Sequence, residues 1–242
     1  MKRNYKIIVP LVLLTGILLS FSIKKKSADP EKDKILLGLI RYALTQGHYE
    51  PQAIDDEFSA SVFTDFIDGL DPTKRFFTQE DIKEFEFYKD KIDDQIKNED
   101  LTFYNLVYSR YAKRLRDARN FYKEILKFPF DFSKDEILNV DYDDKPFALN
   151  EVEQIRNWRK QLKLNTLVRL HDKINVEEDK QDEDVSYQMK SFEELEKEAR
   201  EATLKSTEDF FDFMDDLDDN DWFSVFINSI SGEFDPHSNY FA

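Results

Sequence analysis

Residues 102–127 read TFYNLVYSRYAKRLRDARNFYKEILK, and the periodicity of this stretch decides the fold class. Phe103, Leu106, Val107, Leu115, Ala118, Tyr122, Ile125 and Leu126 recur at helical spacing, with no Gly or Pro between them. The pattern predicts one long amphipathic helix over about 102–127 whose second face is basic. The aromatic and basic residues from Tyr108 to Arg119 also invite a nucleic-acid reading. In a chain of this charge, a basic helix face countering an acidic neighbour is the better account.

The same rhythm extends outward on both sides. Ile35, Leu36, Leu39, Ile40, Ala43 and Leu44 form a stripe that ends near Gly47. Phe58, Val62, Phe66 and Leu70 form another, widened by Phe63 and Ile67 and stopped by Gly69 and Asp71-Pro72. Thr78 followed by Asp81 has the spacing of a capping box, after which Ile82, Phe85, Tyr88, Ile92 and Ile96 continue. Beyond the long helix, residues 128–150 break the period. Pro129 and Pro146 mark an ordered connector and a sub-boundary, with a short extended piece near Ile137 to Val140. Asn150 with Glu153 restarts a helix that turns Val152, Ile155, Trp158, Leu162 and Leu170 inward. Asn175 to Asp184 holds six acids in ten residues and reads as an exposed loop. Ser191 with Glu194 caps a further helix to about Leu217, and a last one from near Asn220 uses Trp222, Phe223, Phe226 and Ile230. The predicted fold is all-α: an irregular multi-helix domain over residues 35–242.

Composition agrees. Glycine accounts for 5 of 242 residues, where proteins on average carry about 7%, so turn-rich sandwiches, barrels and phosphate loops lack their raw material. Phe and Tyr, 22 and 11, supply bulky core instead. Lys and Arg number 35 against 51 Asp and Glu, a formal charge of −16, which disfavours a phosphate-backbone partner. The absence of Cys removes disulfides, thiol catalysis and zinc–thiolate sites.

The first residues speak to destination. Lys2, Arg3 and Lys6 precede an apolar run from Ile7 to Ser22, the layout of a secretory signal. Lys24, Lys25 and Lys26 follow at once and disfavour export of that flank. Residues 1–22 are therefore either a cleaved signal or a retained anchor, and 23–34 a charged linker. Either way the remainder is expected in the periplasm or cell envelope, touching membrane only through the N-terminal segment.

Few constellations promise chemistry. His48, His171 and His237 are scattered without metal-ligand spacing and read as surface or capping residues. The acidic run Asp215 to Asp221 fails as a calcium loop, because Asp221 stands where Gly is needed and Ile227 where Glu is needed. A helix–helix junction capped by Asp and Asn explains it better. Trp158 and Trp222 sit at core spacing. No catalytic residue, metal site or cofactor is assigned.

The most specific stretch is the last, SGEFDPHSNYFA. Its run Asp235-Pro236-His237-Ser238-Asn239-Tyr240 resembles the D-P-H-[ST]-N-Y element that precedes the PDZ domain in bacterial tail-specific (carboxy-terminal processing) serine proteases. The Phe58–Leu70 helix, the Leu70-Asp71 turn leading to Asp81, the Phe130-Asp131-Phe132 connector and the Trp158 helix are similar to that family in the same order. The resemblance implies an N-terminal scaffold region of an envelope endopeptidase that works from the C-terminal tails of exported proteins. It implies a Ser/Lys dyad beyond the PDZ module, no metal or nucleotide, and as partners the PDZ and protease domains and protein substrates. It also leaves room for an adaptor protein. The chain stops at Ala242, before those parts, so alone it is expected to be inactive. Ser59 and Ser61, in Phe58-Ser59-Ala60-Ser61, superficially look like the family's nucleophile segment but lie on an amphipathic helix without an oxyanion turn. Read from residues alone, Pro236 stops a helix, Asp235 forms an Asx-type turn and Tyr240 packs back. The alternative is a stand-alone acidic helical envelope protein that binds or regulates a partner.

Overall fold

The computed structural model describes residues 30–49, 51–235 and 237–241. The predicted signal or anchor, residues 1–22, lies outside them. Among the described residues there are eight α-helices and no strand, and an isolated bridge between Thr78 and Ala148 is the one β-type contact. The fold is all-α. The expected extended piece at Ile137 to Val140 has no ladder partner.

Helix α1, Pro30–Tyr42, runs into a π-helical turn, Ala43–Gly47. It starts inside the stretch expected to be linker. Pro30 at the first position and Glu31 and Asp33 in the first turn favour that start. Its inward stripe also differs from expectation: Leu37 and Leu44 are buried, whereas Ile35 and Leu39 are exposed. The i→i+5 turn closes around Leu44 and sets the register of that stripe.

Helix α2, Asp56–Leu70, begins at Asp55, whose side chain accepts from the amides of Glu57 and Phe58. Its apolar face, Phe58, Val62, Phe63, Phe66 and Ile67, is buried. Helix α3, Gln79–Phe85, opens on the Thr78–Asp81 capping box, and α4 spans Ile92–Lys97. The long helix α5, Thr102–Ile125, buries Phe103, Tyr104, Val107, Tyr111, Ala118 and Tyr122 at the centre of the main core. Phe66 lies between α5 and the last helix, with Phe226 edge-on at 5.0 Å and Phe103 at 5.9 Å. Offset and edge-on ring pairs of this kind add to the area they bury.

The basic face of α5 meets acids, as its charge pattern requires. Asp81, fully buried, accepts from Thr78 N at 2.9 Å, Thr78 Oγ1 at 3.0 Å, and Arg114 Nε and Nη2 at 2.8 and 2.9 Å, with Arg110 as a further donor. Arg119 reaches Asp215 at 2.7 Å. Burial would push the Asp81 carboxyl up, but the bonds from Arg114, Arg110 and Thr78 outweigh it and hold it below the ordinary range.

Helices α6, Glu151–Glu183, and α7, Phe192–Asp216, form an antiparallel hairpin. Residues 175–183 thus continue a helix and do not form the expected acidic loop. Glu, Lys and Gln are good helix formers. Here Glu177 is buried and accepts from Lys180 Nζ, Tyr187 Oη and Lys190 N, which ties the helix end to the turn. The inward stripe of α6 is Gln154, Trp158, Leu162, Thr166, Leu170 and Glu177, so Val152 and Ile155 face outward, against expectation. Thr166 Oγ1 meets Thr203 Oγ1 at 3.1 Å across the hairpin seam. Past that seam Leu170, Leu195 and Ala199 form a small second core with Phe132 and Ile174 beside it. Helix α8, Asp219–Gly232, follows a junction where Asp218 accepts from Asn220 N and Asp221 N. It packs against α2 and α1.

Candidate functional site

The C-terminal segment folds back on α8. Phe234 is buried, edge-on to Phe58 at 5.5 Å and His48 at 5.8 Å. After it, Asp235 organises a turn: Oδ1 accepts from His237 N at 3.0 Å, Oδ2 from Ser238 Oγ at 3.2 Å, and its carbonyl from Ser238 N at 2.9 Å. Those donors hold the Asp235 carboxyl below its usual range, the His237 amide contributing most. Pro236 lies outside the described residues.

Two α8 side chains then grip the returning backbone. Asn228 makes a reciprocal pair with Tyr240, Nδ2 donating to its carbonyl at 3.1 Å and Oδ1 accepting from its amide at 2.6 Å. Ser231 Oγ donates to the Ser238 carbonyl at 3.0 Å. The primary amide of Asn carries one acceptor and two donors, so it pairs with a peptide unit as a neighbouring strand would. Tyr240 is half-buried against the main core, while His237 and Asn239 face solvent. Between this turn and α1 lies a cavity of about 340 Å³, lined by Ile40, Ala43, Leu44 and the residues of the turn.

The Ser238 hydroxyl is spent on Asp235, and His237 is engaged through its backbone amide. Ser59 is fully buried, donating to Asp93 Oδ1 at 2.9 Å and accepting from Asp93 N at 2.8 Å, so it caps the start of α4. Ser61 lies on the same face of α2 as Asp65, and the nearby Glu233 carboxyl is raised by burial and by Asp65. Among the described residues no group of three His, Asp or Glu side chains is placed to hold a metal ion, and no helix is long and apolar enough to cross a membrane.

Asn228 and Ser231 carry no sequence signal of their own. They interrupt the apolar face of the last helix, and a polar residue among Phe226, Ile227 and Ile230 is the one hint that a backbone must be satisfied there.

A second motif region converges elsewhere. Asp71, fully buried, accepts from the amides of Arg75, Phe76 and Phe77 at 2.8–2.9 Å. Trp158 Nε1 donates to the Arg75 carbonyl at 3.0 Å, and Gln154 to that of Phe76. The Asp71 turn and the Trp158 helix, far apart in sequence, are thus one knot.

The model of the tail specific protease N-terminal domain matches residues 40–242, a span that contains both the knot and the C-terminal turn. The chain belongs to this family. It is similar to the tail-specific protease of Haemophilus influenzae, 25% identical over 201 residues, covering 82% of this chain and 26% of the relative. The chain therefore spans about a quarter of that relative's length.

Proposed function

We propose that this tail-specific protease N-terminal domain is the scaffold region of a cell-envelope serine endopeptidase that degrades or processes exported proteins from their C-terminal tails. In this reading PDZ and Ser/Lys protease parts dock against the helical domain, and the chain does no chemistry itself. Residues 1–22 serve export as a signal or anchor, and residues 35–242 are the working domain.

The observation that supports the reading is the clasped turn. The matched region runs through Asp235–Tyr240, and Asn228 and Ser231 fix that segment to α8 at 2.6–3.1 Å. A segment anchored in this way transmits orientation to whatever it joins. In the same reading the hydroxyls of Ser59 and Ser61 are structural.

Two measurements test it. An antibody raised against residues 35–242, used on cell-envelope fractions, should detect a band well above 28.9 kDa. A band at or just below that mass overturns the scaffold reading in favour of a binding or regulatory module. The purified chain should cleave no peptide with an apolar C-terminus. Hydrolysis lost in Ser59→Ala or Ser61→Ala would make one of those serines a nucleophile, and hydrolysis surviving both would require a catalytic group elsewhere in the chain.

A further inference from the structure

Beside the knot that joins the Asp71 turn to α6 lies a cavity of about 100 Å³, lined by Thr73, Arg75, Tyr142, Lys145, Asn157 and Trp158, and by Gln161 and Asn165. Drug-sized ligands occupy about 300–1,000 Å³, so this one fits a single small polar group. Its walls are unusual in a chain with 51 acids and 35 bases, because the lining holds two cations and no acidic side chain, although the Asp71 carboxylate is close enough to attract both.

Lys145 is 8% exposed. Its ammonium lies 5.2 Å from the Tyr142 ring, and among the described residues no carboxylate or carbonyl pairs with it. Arg75 is stacked among three rings, 4.6 Å from Phe210, 5.1 Å from Phe76 and 5.3 Å from Trp158. Its Nε is buried without a hydrogen-bond partner. The nearby Asp71 carboxylate accepts from three backbone amides and makes no hydrogen bond to that Nε. Burial lowers the pKa of both cations, and the repulsion of Arg75 and Lys74 lowers that of Lys145 further, against the pull of Asp71. A buried ammonium beside a half-buried guanidinium is costly, and Asp71 supplies one counter-charge for the two cations. Gln161 is already engaged, donating to Asn165 Oδ1 at 3.0 Å and accepting from Tyr142 Oη at 3.2 Å. The Thr73 hydroxyl and the Asn157 amide remain as neutral donors on the same wall.

We propose that this cavity is a binding site for one small oxyanion, a carboxylate or phosphate group held between the Arg75 guanidinium and the Lys145 ammonium. The planar fork of Arg75 meets two oxygens of such a group, and Lys145 supplies a point charge from the other side. Occupancy ties the residue 141–145 stretch of the connector to α6 and to the Asp71 turn, so the ligand stabilises the knot. The assignment does not depend on the scaffold reading.

The test uses acetate and inorganic phosphate as probes on the full chain, against chloride at matched ionic strength. Either probe should raise the melting temperature saturably, as expected of a ligand that binds only the folded state, and should change the fluorescence of Trp158. Lys145→Gln should weaken the apparent affinity at least about tenfold while raising the melting temperature without probe, because a buried unpaired cation is gone. Lys145→Arg should restore the response. Asn157→Asp places a carboxylate in the wall, so it should stabilise the protein and abolish the response, which keeps the test decisive if Lys145→Gln does not fold. A short peptide with a free α-carboxylate, set against its amide, then separates a carboxylate displayed on a polypeptide from a free anion. An identical response in wild type, Lys145→Gln and Asn157→Asp, or none in wild type, overturns the assignment.

Discussion

Removing the Asp81 carboxylate tests the central electrostatic claim about this fold. Asp81 is fully buried and holds together two segments, the Thr78 cap and α5 through Arg110 and Arg114. Asp81→Ala leaves the Arg114 guanidinium, 8% exposed, without its main partner, the situation that costs about 3–5 kcal/mol when a buried pair loses one member. The lost capping box, about 1 kcal/mol alone, falls within that range because the same oxygens serve both roles and the effects do not add. For a chain of this size each kcal/mol moves Tm by about 2–4 °C, so Asp81→Ala should melt about 10 °C lower. Asp81→Asn keeps the volume and an acceptor and should lose about 2 kcal/mol, the worth of charge-assisted over neutral bonds. Urea unfolding followed by circular dichroism measures both. The pH dependence has a definite sign. A folded pKa held below the ordinary 3.8 gives stability that is complete above 3.8 and is lost as pH falls through the folded value. The gap between wild type and Asp81→Asn should therefore shrink only on acidification below about pH 4. A loss under about 1 kcal/mol for Asp81→Ala with an unchanged m-value would refute the idea that this cluster is buried and mutually dependent.

Asn228→Ala should cost about 1 kcal/mol and speed amide hydrogen exchange at Tyr240 while leaving α5 protected; unchanged exchange would mean the turn is held by other contacts. Glu177, held near pKa about 2 chiefly by Lys180 and the Lys190 amide, supports the hairpin turn above its ordinary 4.5 and loses that support as pH falls through about 2. Glu177→Gln should remove this acid sensitivity from the Lys190 amide, and an exchange profile that stays the same would contradict it. Leu170→Ala, at a side chain that is 1% exposed, should cost about 2–3 kcal/mol and raise exchange at residues 171–199 first. Equal loosening around Phe66 would show that the second core is not separate.

Periodicity made most of the helices legible because each pairs an apolar stripe with strong caps. Asp55, Thr78, Asn150, Ser191 and Asp218 all accept from amides at the starts of their helices. Where reading failed, polar residues stood in the buried stripe. Thr166 is satisfied by Thr203, and Glu177 by Lys180 and Tyr187, and a hydrophobicity pattern cannot see such pairings. For the same reason Arg114, on the buried side of α5, looked like one more surface base. In the C-terminal turn the Asx geometry of Asp235 follows from its residue types, whereas the grip of Asn228 depends on how far the chain folds back. The Arg75–Lys145 cavity was invisible because its residues lie 70 positions apart and share no spacing rule.

The α6–α7 hairpin has a mechanical consequence. Its 33-residue arm is about 50 Å long, seated at one end by Trp158, Leu162 and Phe211 in the main core and stiffened at the other by its own small core. A rotation of about 5° at the seat sweeps the far end by about 4 Å over that length. The hairpin is a lever, and its tip is where small angular changes in the core become displacements large enough for a neighbouring surface to feel.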